Sequence, residues 1–118
     1  MSRNPREMWK EIRSGVEATS KVDSENMNAF LKLNKTTLKQ GALDSKTERI
    51  ISAAIALATN SEYCIVGRVR GVFEAGAARQ ELIEVSAVAR LMGGSLVLGN
   101  SVTLFQETIN TFAADFDK

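Results

Sequence analysis

The sequence predicts an all-α fold of about six helices, and three observations lead there. Apolar residues recur three and four positions apart along most of the chain, the spacing that lines one face of an α-helix. No stretch alternates apolar and polar residues in the period-two manner of a half-buried strand. Caps and breakers (Asn4-Pro5, Gly41, Asp44, Ser61, Gly76, Gly93-Gly94) cut the chain into pieces of helix length. With 118 residues, 44% hydrophobic and 25% charged, one folded soluble domain over 1–118 is the expectation.

Asn4 followed by Pro5 reads as an N-cap and first helical residue, opening a helix that runs to about Thr19. Its stripe of Met8, Trp9, Ile12 and Val16 is expected to dock on a core or a neighbouring subunit. Asp23 or Ser24 caps a second helix ending at Gly41, with Met27, Phe30, Leu31, Leu33 and Leu38 as its apolar side and Lys32, Lys35 and Lys39 as solvated surface. Asp44 caps the third, where Glu48 suits the positive end of the helix dipole. From Ile50 to Ala58 nearly every residue is apolar or small, so this helix is expected to be central and buried on several sides.

Ser61 caps a fourth helix carrying Tyr63, Cys64, Ile65, Val66, Val69, Val72 and Phe73 before Ala75-Gly76 stops it. Gly67 and Gly71 share one face of it, which predicts close approach of another backbone, since each glycine costs about 1 kcal/mol against alanine. A fifth helix follows, with Leu82, Ile83, Val85, Ala87, Val88, Leu91 and Met92 inside, until Gly93-Gly94 interrupts or kinks it. The last helix, from Ser95 or Asn100 to Phe116, carries Leu96, Val97, Leu98, Val102, Leu104, Phe105, Ile109, Phe112 and Phe116. The run Gly93-Gly94-Ser95-Leu96-Val97-Leu98-Gly99 lacks the lysine and preceding strand of a phosphate loop, so it reads as a helix kink.

Composition narrows function further. A net charge of +1 supplies no broad field for nucleic acid. No apolar stretch reaches the ~20 residues of a membrane span, and Arg3, Arg6, Glu7 and Lys10 leave no room for a signal-peptide core, so a cytoplasmic protein is expected. A single cysteine allows no intrachain disulfide. Histidine is absent, which removes the imidazole as base, proton shuttle or ligand, and neither a metal site nor a cofactor is expected.

The chemistry that remains lies in the helical hairpin over residues 43–76. Cys64 falls near the third position of its helix, and Arg68 follows four residues later on the same face. The helix dipole and the guanidinium both favour a thiolate, and an exposed thiolate attacks a peroxide to become a sulfenic acid. Equally, an isolated cysteine is often a small hydrophobe packed between helices, and both readings stand at this stage.

Leu43-Asp44-Ser45-Lys46-Thr47, the small apolar helix, Glu62-Tyr63-Cys64-Ile65, Glu74-Ala75-Gly76-Ala77 and Glu81-Leu82-Ile83-Glu84-Val85 together resemble the carboxymuconolactone decarboxylase and AhpD-like alkylhydroperoxidase superfamily, over about 43–94. The resemblance implies an AhpD-like helical bundle with a central hairpin. The peroxidase branch carries a Cys-x-x-Cys pair, a histidine four residues on and a glutamate on the preceding helix. Here those places fall on Ser61, Cys64, Arg68 and the neighbourhood of Arg49, with Glu48 one residue away. The decarboxylase branch resembles acid–base catalysis through histidine, which this chain lacks.

What the resemblance then implies is a family domain with its dithiol relay lost, retaining at most one-cysteine peroxide reactivity through Cys64, with Arg68 and Ser61 beside it. The alternative is a noncatalytic small-anion-binding or structural oligomer, with Arg49 and Arg68 as the anion partners. Both arginines are as able to face solvent or to pair with Glu48 and Glu62. Family members commonly form trimers or hexamers. Together with the Trp9 stripe and the aromatic C-terminal helix, this makes a homo-oligomer the expectation.

Overall fold

Side chains at Asn4, Asp23 and Asp44 start the first three helices. In the computed structural model, which describes residues 4–116, Asn4 Oδ1 accepts from the backbone of Arg6 (2.9 Å) and Glu7 (3.2 Å), Asp23 Oδ1 from that of Asn26 (3.3 Å), and Asp44 Oδ1 from that of Thr47 (2.7 Å). Each bond satisfies an amide that the first turn leaves without an intrahelical partner. The chain runs α1 (Pro5–Val22), α2 (Ser24–Thr37), α3 (Ser45–Ala58), α4 (Glu62–Glu74), α5 (Arg79–Gly93), α6 (Ser95–Val102) and α7 (Leu104–Phe116). The described residues contain no strand, and the all-α expectation holds.

Three boundaries differ from the sequence reading. α1 continues three residues past Thr19, whose carbonyl accepts from the Asp23 amide at 2.8 Å. α2 stops four residues short of Gly41, because Ser45 Oγ takes the Leu38 carbonyl at 2.8 Å, an acceptor that a further turn would need. The last expected helix is two, α6 and α7, parted at Thr103.

The core is built around α4, which packs against α3, α7 and α1. Ile65, Val66, Val69 and Val72 of α4 meet Leu57 of α3, Leu82 of α5, Met8 of α1 and Phe105, Ile109 and Phe112 of α7, all fully buried or nearly so. The central role therefore belongs to α4 and not to α3. On α3 only Ala53, Ala56 and Leu57 are buried, while Ile51 and Ile55 lie exposed, since no segment of the described chain covers that side.

Val88, Leu91 and Met92 of α5, expected inside, are also exposed, as are Leu96, Leu98 and Val102 of α6, Leu91 and Leu96 by more than 80%. One stripe of α5, Leu82, Val85, Ser86 and Ala89, faces the core and the other faces outward. The aromatic residues of α7 behave oppositely: Phe105 and Phe112 are fully buried, so they offer no outer apolar surface. Gly93, the last residue of α5, has no room for a Cβ, which would run into buried Val97, and α5 ends where Gly94 turns the chain with φ 58°. Among the described residues no helix is long and apolar enough to cross a membrane.

Candidate functional site

Thr59, Asn60 and Ser61 join α3 to α4. Asn60 adopts the left-handed conformation (φ 54°) that asparagine tolerates better than most residues. Its Nδ2 donates to the Leu96 carbonyl at 2.8 Å, and its Oδ1 accepts from Asn100 Nδ2 at 3.2 Å. These bonds fasten the joint to α6 and set the direction in which α4 departs. Ser61 stands half-buried at the N-cap, yet its hydroxyl makes no capping bond; its amide closes the turn by donating to the Ala56 carbonyl at 3.1 Å.

Cys64, third residue of α4, is a free and exposed thiol, and Arg68 lies one turn further along the same face. Both line a cavity of about 990 Å³ between the α1–α2 pair and the α3–α4 hairpin. Within the single chain Cys64 is therefore not packed between helices. Arg68 is half-buried and has no hydrogen-bond or ion-pair partner among the described residues. Ser61 is not among the residues lining the cavity.

Arg49 reaches the same cavity from α3 but is engaged. Its guanidinium donates to the Gly71 carbonyl at 3.1 Å and approaches Glu74 at 3.5 Å, so it pairs with neither Glu48 nor Glu62. Glu74 is shared with Arg70 at 3.1 Å. Arg70 in turn sits over the rings of Trp9 (4.8 Å) and Phe116 (5.3 Å), a stacking that holds its charge against the aromatic wall. Of the cations on α3 and α4 that line the cavity, Arg68 alone has its charge uncommitted.

The glycine face of α4 receives side chains where the sequence led us to expect a backbone. A Cβ on Gly67 would meet the Trp9 ring at 3.5 Å, and one on Gly71 the Arg49 guanidinium at 3.9 Å. Tyr63 donates its hydroxyl to Glu11 at 2.8 Å, a second tie between α4 and α1. Opposite stand Phe30 and Leu31 of α2 and Leu38 at its C-cap, with Ile12 and Val16 of α1. Sequence reasoning gave Trp9 and α2 to packing alone. The stripe to Val16 was read there, but not that only Met8 of it enters the core, which leaves Trp9, Ile12 and Val16 to line the cavity.

In chemical terms the site combines an accessible thiol, a guanidinium with no partner among the described residues and an apolar wall. Without histidine it has no imidazole to shuttle protons near neutrality, and arginine stays protonated. Ser61 cannot form a disulfide with Cys64, so any oxidised state of Cys64 must be resolved by a thiol from outside the hairpin.

The chain matches the family model of the carboxymuconolactone decarboxylase family over residues 24–107. It is 36% identical over 74 residues, 63% of this chain and 67% of the other, to the "uncharacterized protein 4 in cox locus" of Paracoccus denitrificans. Its fold superposes with a TM-score of 0.83, at 30% identity, on the crystal structure of an apo carboxymuconolactone decarboxylase family protein from Legionella pneumophila, covering 99% of this chain and 100% of that one. With a family match across most of its length and the same helical fold from end to end, the chain belongs to the carboxymuconolactone decarboxylase family within the AhpD-like superfamily.

Proposed function

We propose that this protein is a member of its superfamily whose dithiol relay has been lost, and that its remaining chemistry is the reaction of Cys64 with a peroxide. One observation carries the reading: the exposed thiol opens into the same cavity as a guanidinium that has no partner among the described residues. In the proposed step the Cys64 thiolate attacks one peroxide oxygen and the O–O bond breaks. The sulfur is oxidised to a sulfenic acid, and the second oxygen leaves as an alkoxide or hydroxide that takes a proton from water. Arg68 stabilises the charge on the departing oxygen. Return to the thiol needs two equivalents of an external thiol, the first forming a mixed disulfide with loss of water and the second releasing Cys64. A cytoplasmic setting, rich in such thiols, belongs to the same proposal.

A dimedone-type probe after peroxide treatment is expected to label Cys64 once per chain, and Arg68→Ala to slow labelling about tenfold, the effect of losing roughly 1.4 kcal/mol of charge stabilisation. Failure of the wild type to label, or peroxide turnover that persists in Cys64→Ser, would remove the reading. The second reading, a noncatalytic protein that binds a small anion, is favoured by the uncommitted charge of Arg68 and the missing relay. There, thermal-shift screening against small anions is expected to show a shift that Arg68→Ala abolishes. We also propose that the protein is a homo-oligomer, trimeric or hexameric.

A further inference from the structure

The cavity beside Cys64 is larger than either a hydroperoxide or an inorganic anion requires. A volume of about 990 Å³ is at the upper end of sites that enclose drug-sized organic ligands. Its charge is lopsided. The lining carries five cationic side chains against the two carboxylates Glu17 and Glu74, in a chain whose net charge is only +1. Glu74 is already occupied by Arg49 and Arg70, whereas Arg68 has no partner among the described residues. Facing Arg49, Arg68 and Arg70 of α3 and α4 are Ile12 and Val16 of α1 and Phe30 and Leu31 of α2, an apolar wall that no other segment of the described chain covers.

We infer that this cavity binds an amphipathic organic anion, a carboxylate on an extended apolar body. The carboxylate is held at Arg68, and the apolar body lies between α2 and the Trp9 face of α1. A guanidinium binds a carboxylate through paired hydrogen bonds, and a bare apolar wall gains from covering with hydrocarbon. The inference deepens the anion-binding reading of the site and rests on it, but it does not depend on any reactivity of Cys64.

Trp9 is the sole tryptophan and lines the cavity, so its fluorescence reports occupancy directly. The test is a titration of the full chain with decanoate, kept below its micellar concentration, beside octanoate, decanol and sulfate. Saturable change with decanoate is expected, about tenfold tighter than octanoate for two methylenes removed. Arg68→Ala is expected to weaken it about tenfold, and Leu31→Ala, at a residue 43% exposed whose truncation leaves the core intact, about fivefold. Saturating decanoate should also slow alkylation of Cys64 by iodoacetamide.

Equal affinity for decanol and decanoate would overturn the carboxylate site. Equal affinity for sulfate and decanoate would overturn the apolar body while the small-anion reading survives. No response to any anion would remove both, as expected if a helix of a second copy fills the cavity. None of these outcomes bears on dimedone labelling of Cys64, which is read independently.

Discussion

At the scale of single residues, glycines separate two kinds of position that look alike in sequence. Gly15 lies on the outer face of α1 with nothing within 4 Å of where a Cβ would be, and it is helical on both sides. Gly15→Ala is therefore expected to stabilise the protein by about 0.5–1 kcal/mol, since it lowers the backbone entropy lost on folding. Gly93, also helical, is packed on buried Val97, and Gly93→Ala is expected to destabilise it by about 1–3 kcal/mol through overpacking. Urea unfolding of the two variants checks both signs. Cys64, Arg68 and Arg49 were each legible as candidate site residues from spacing and family pattern, and all three line the cavity. Their states were not: Arg49 is held by Gly71 and Glu74 from the neighbouring helix, a pairing 22 and 25 residues away that no local pattern specifies.

At the scale of elements, the ends of the helices are tied by exposed carboxylates that all titrate in the same direction. Asp115, hydrogen-bonded by Arg6 and beside its charge, latches α1 to α7 and is held below its ordinary range. Asp44 is lowered by the Thr47 amide it caps, and Glu81 by the Ala78 amide and by Lys46, which ties α3 to α5. A carboxyl whose folded pKa lies below its unfolded value adds stability above the unfolded pKa and loses it as pH falls through the folded one. The melting temperature is thus expected to decline below about pH 4, where unfolded carboxylates begin to bind protons. Between pH 6 and 8 it should stay nearly level, because the chain has no histidine to titrate there. Thermal melts across pH 3–8 measure this. A decline confined to the neutral range would contradict it.

At the scale of the whole molecule, apolar surface is distributed in a way that one copy does not resolve. α2 has no buried residue, and Phe30 and Leu33 are each about 60% exposed. An isolated 14-residue helix is marginal in water, so α2 draws its stability from α1 and from whatever covers its outer side. On α3, α5 and α6, Ile51, Ile55, Val88, Leu91, Met92 and Leu96 form a second uncovered set. Monomers rarely keep such surface open, which supports the proposed oligomer. Sedimentation velocity is expected to give a mass of three or six chains for the wild type, and Leu91→Glu with Leu96→Glu to shift it towards the monomer. A wild-type monomer at working concentration would refute the assembly.

The sequence by itself determined what depends on near neighbours: helix starts at Asn4, Asp23 and Asp44, breaks at Gly76 and Gly93-Gly94, the all-α class, and the hairpin whose residues mark the family. These follow from hydrogen bonds and steric limits within about four residues, which composition and spacing encode directly. Tertiary structure alone decided which of several apolar stripes is inside. Ile50 to Ala58 reads as buried on several sides, yet Ile51 and Ile55 are exposed while α4, with fewer apolar cues, holds the centre. It likewise converted the Trp9 stripe and α2 from packing surfaces into the walls of the cavity that Cys64 and Arg68 share. Burial is a property of how many elements surround a face, and that number is set by the path of the whole chain.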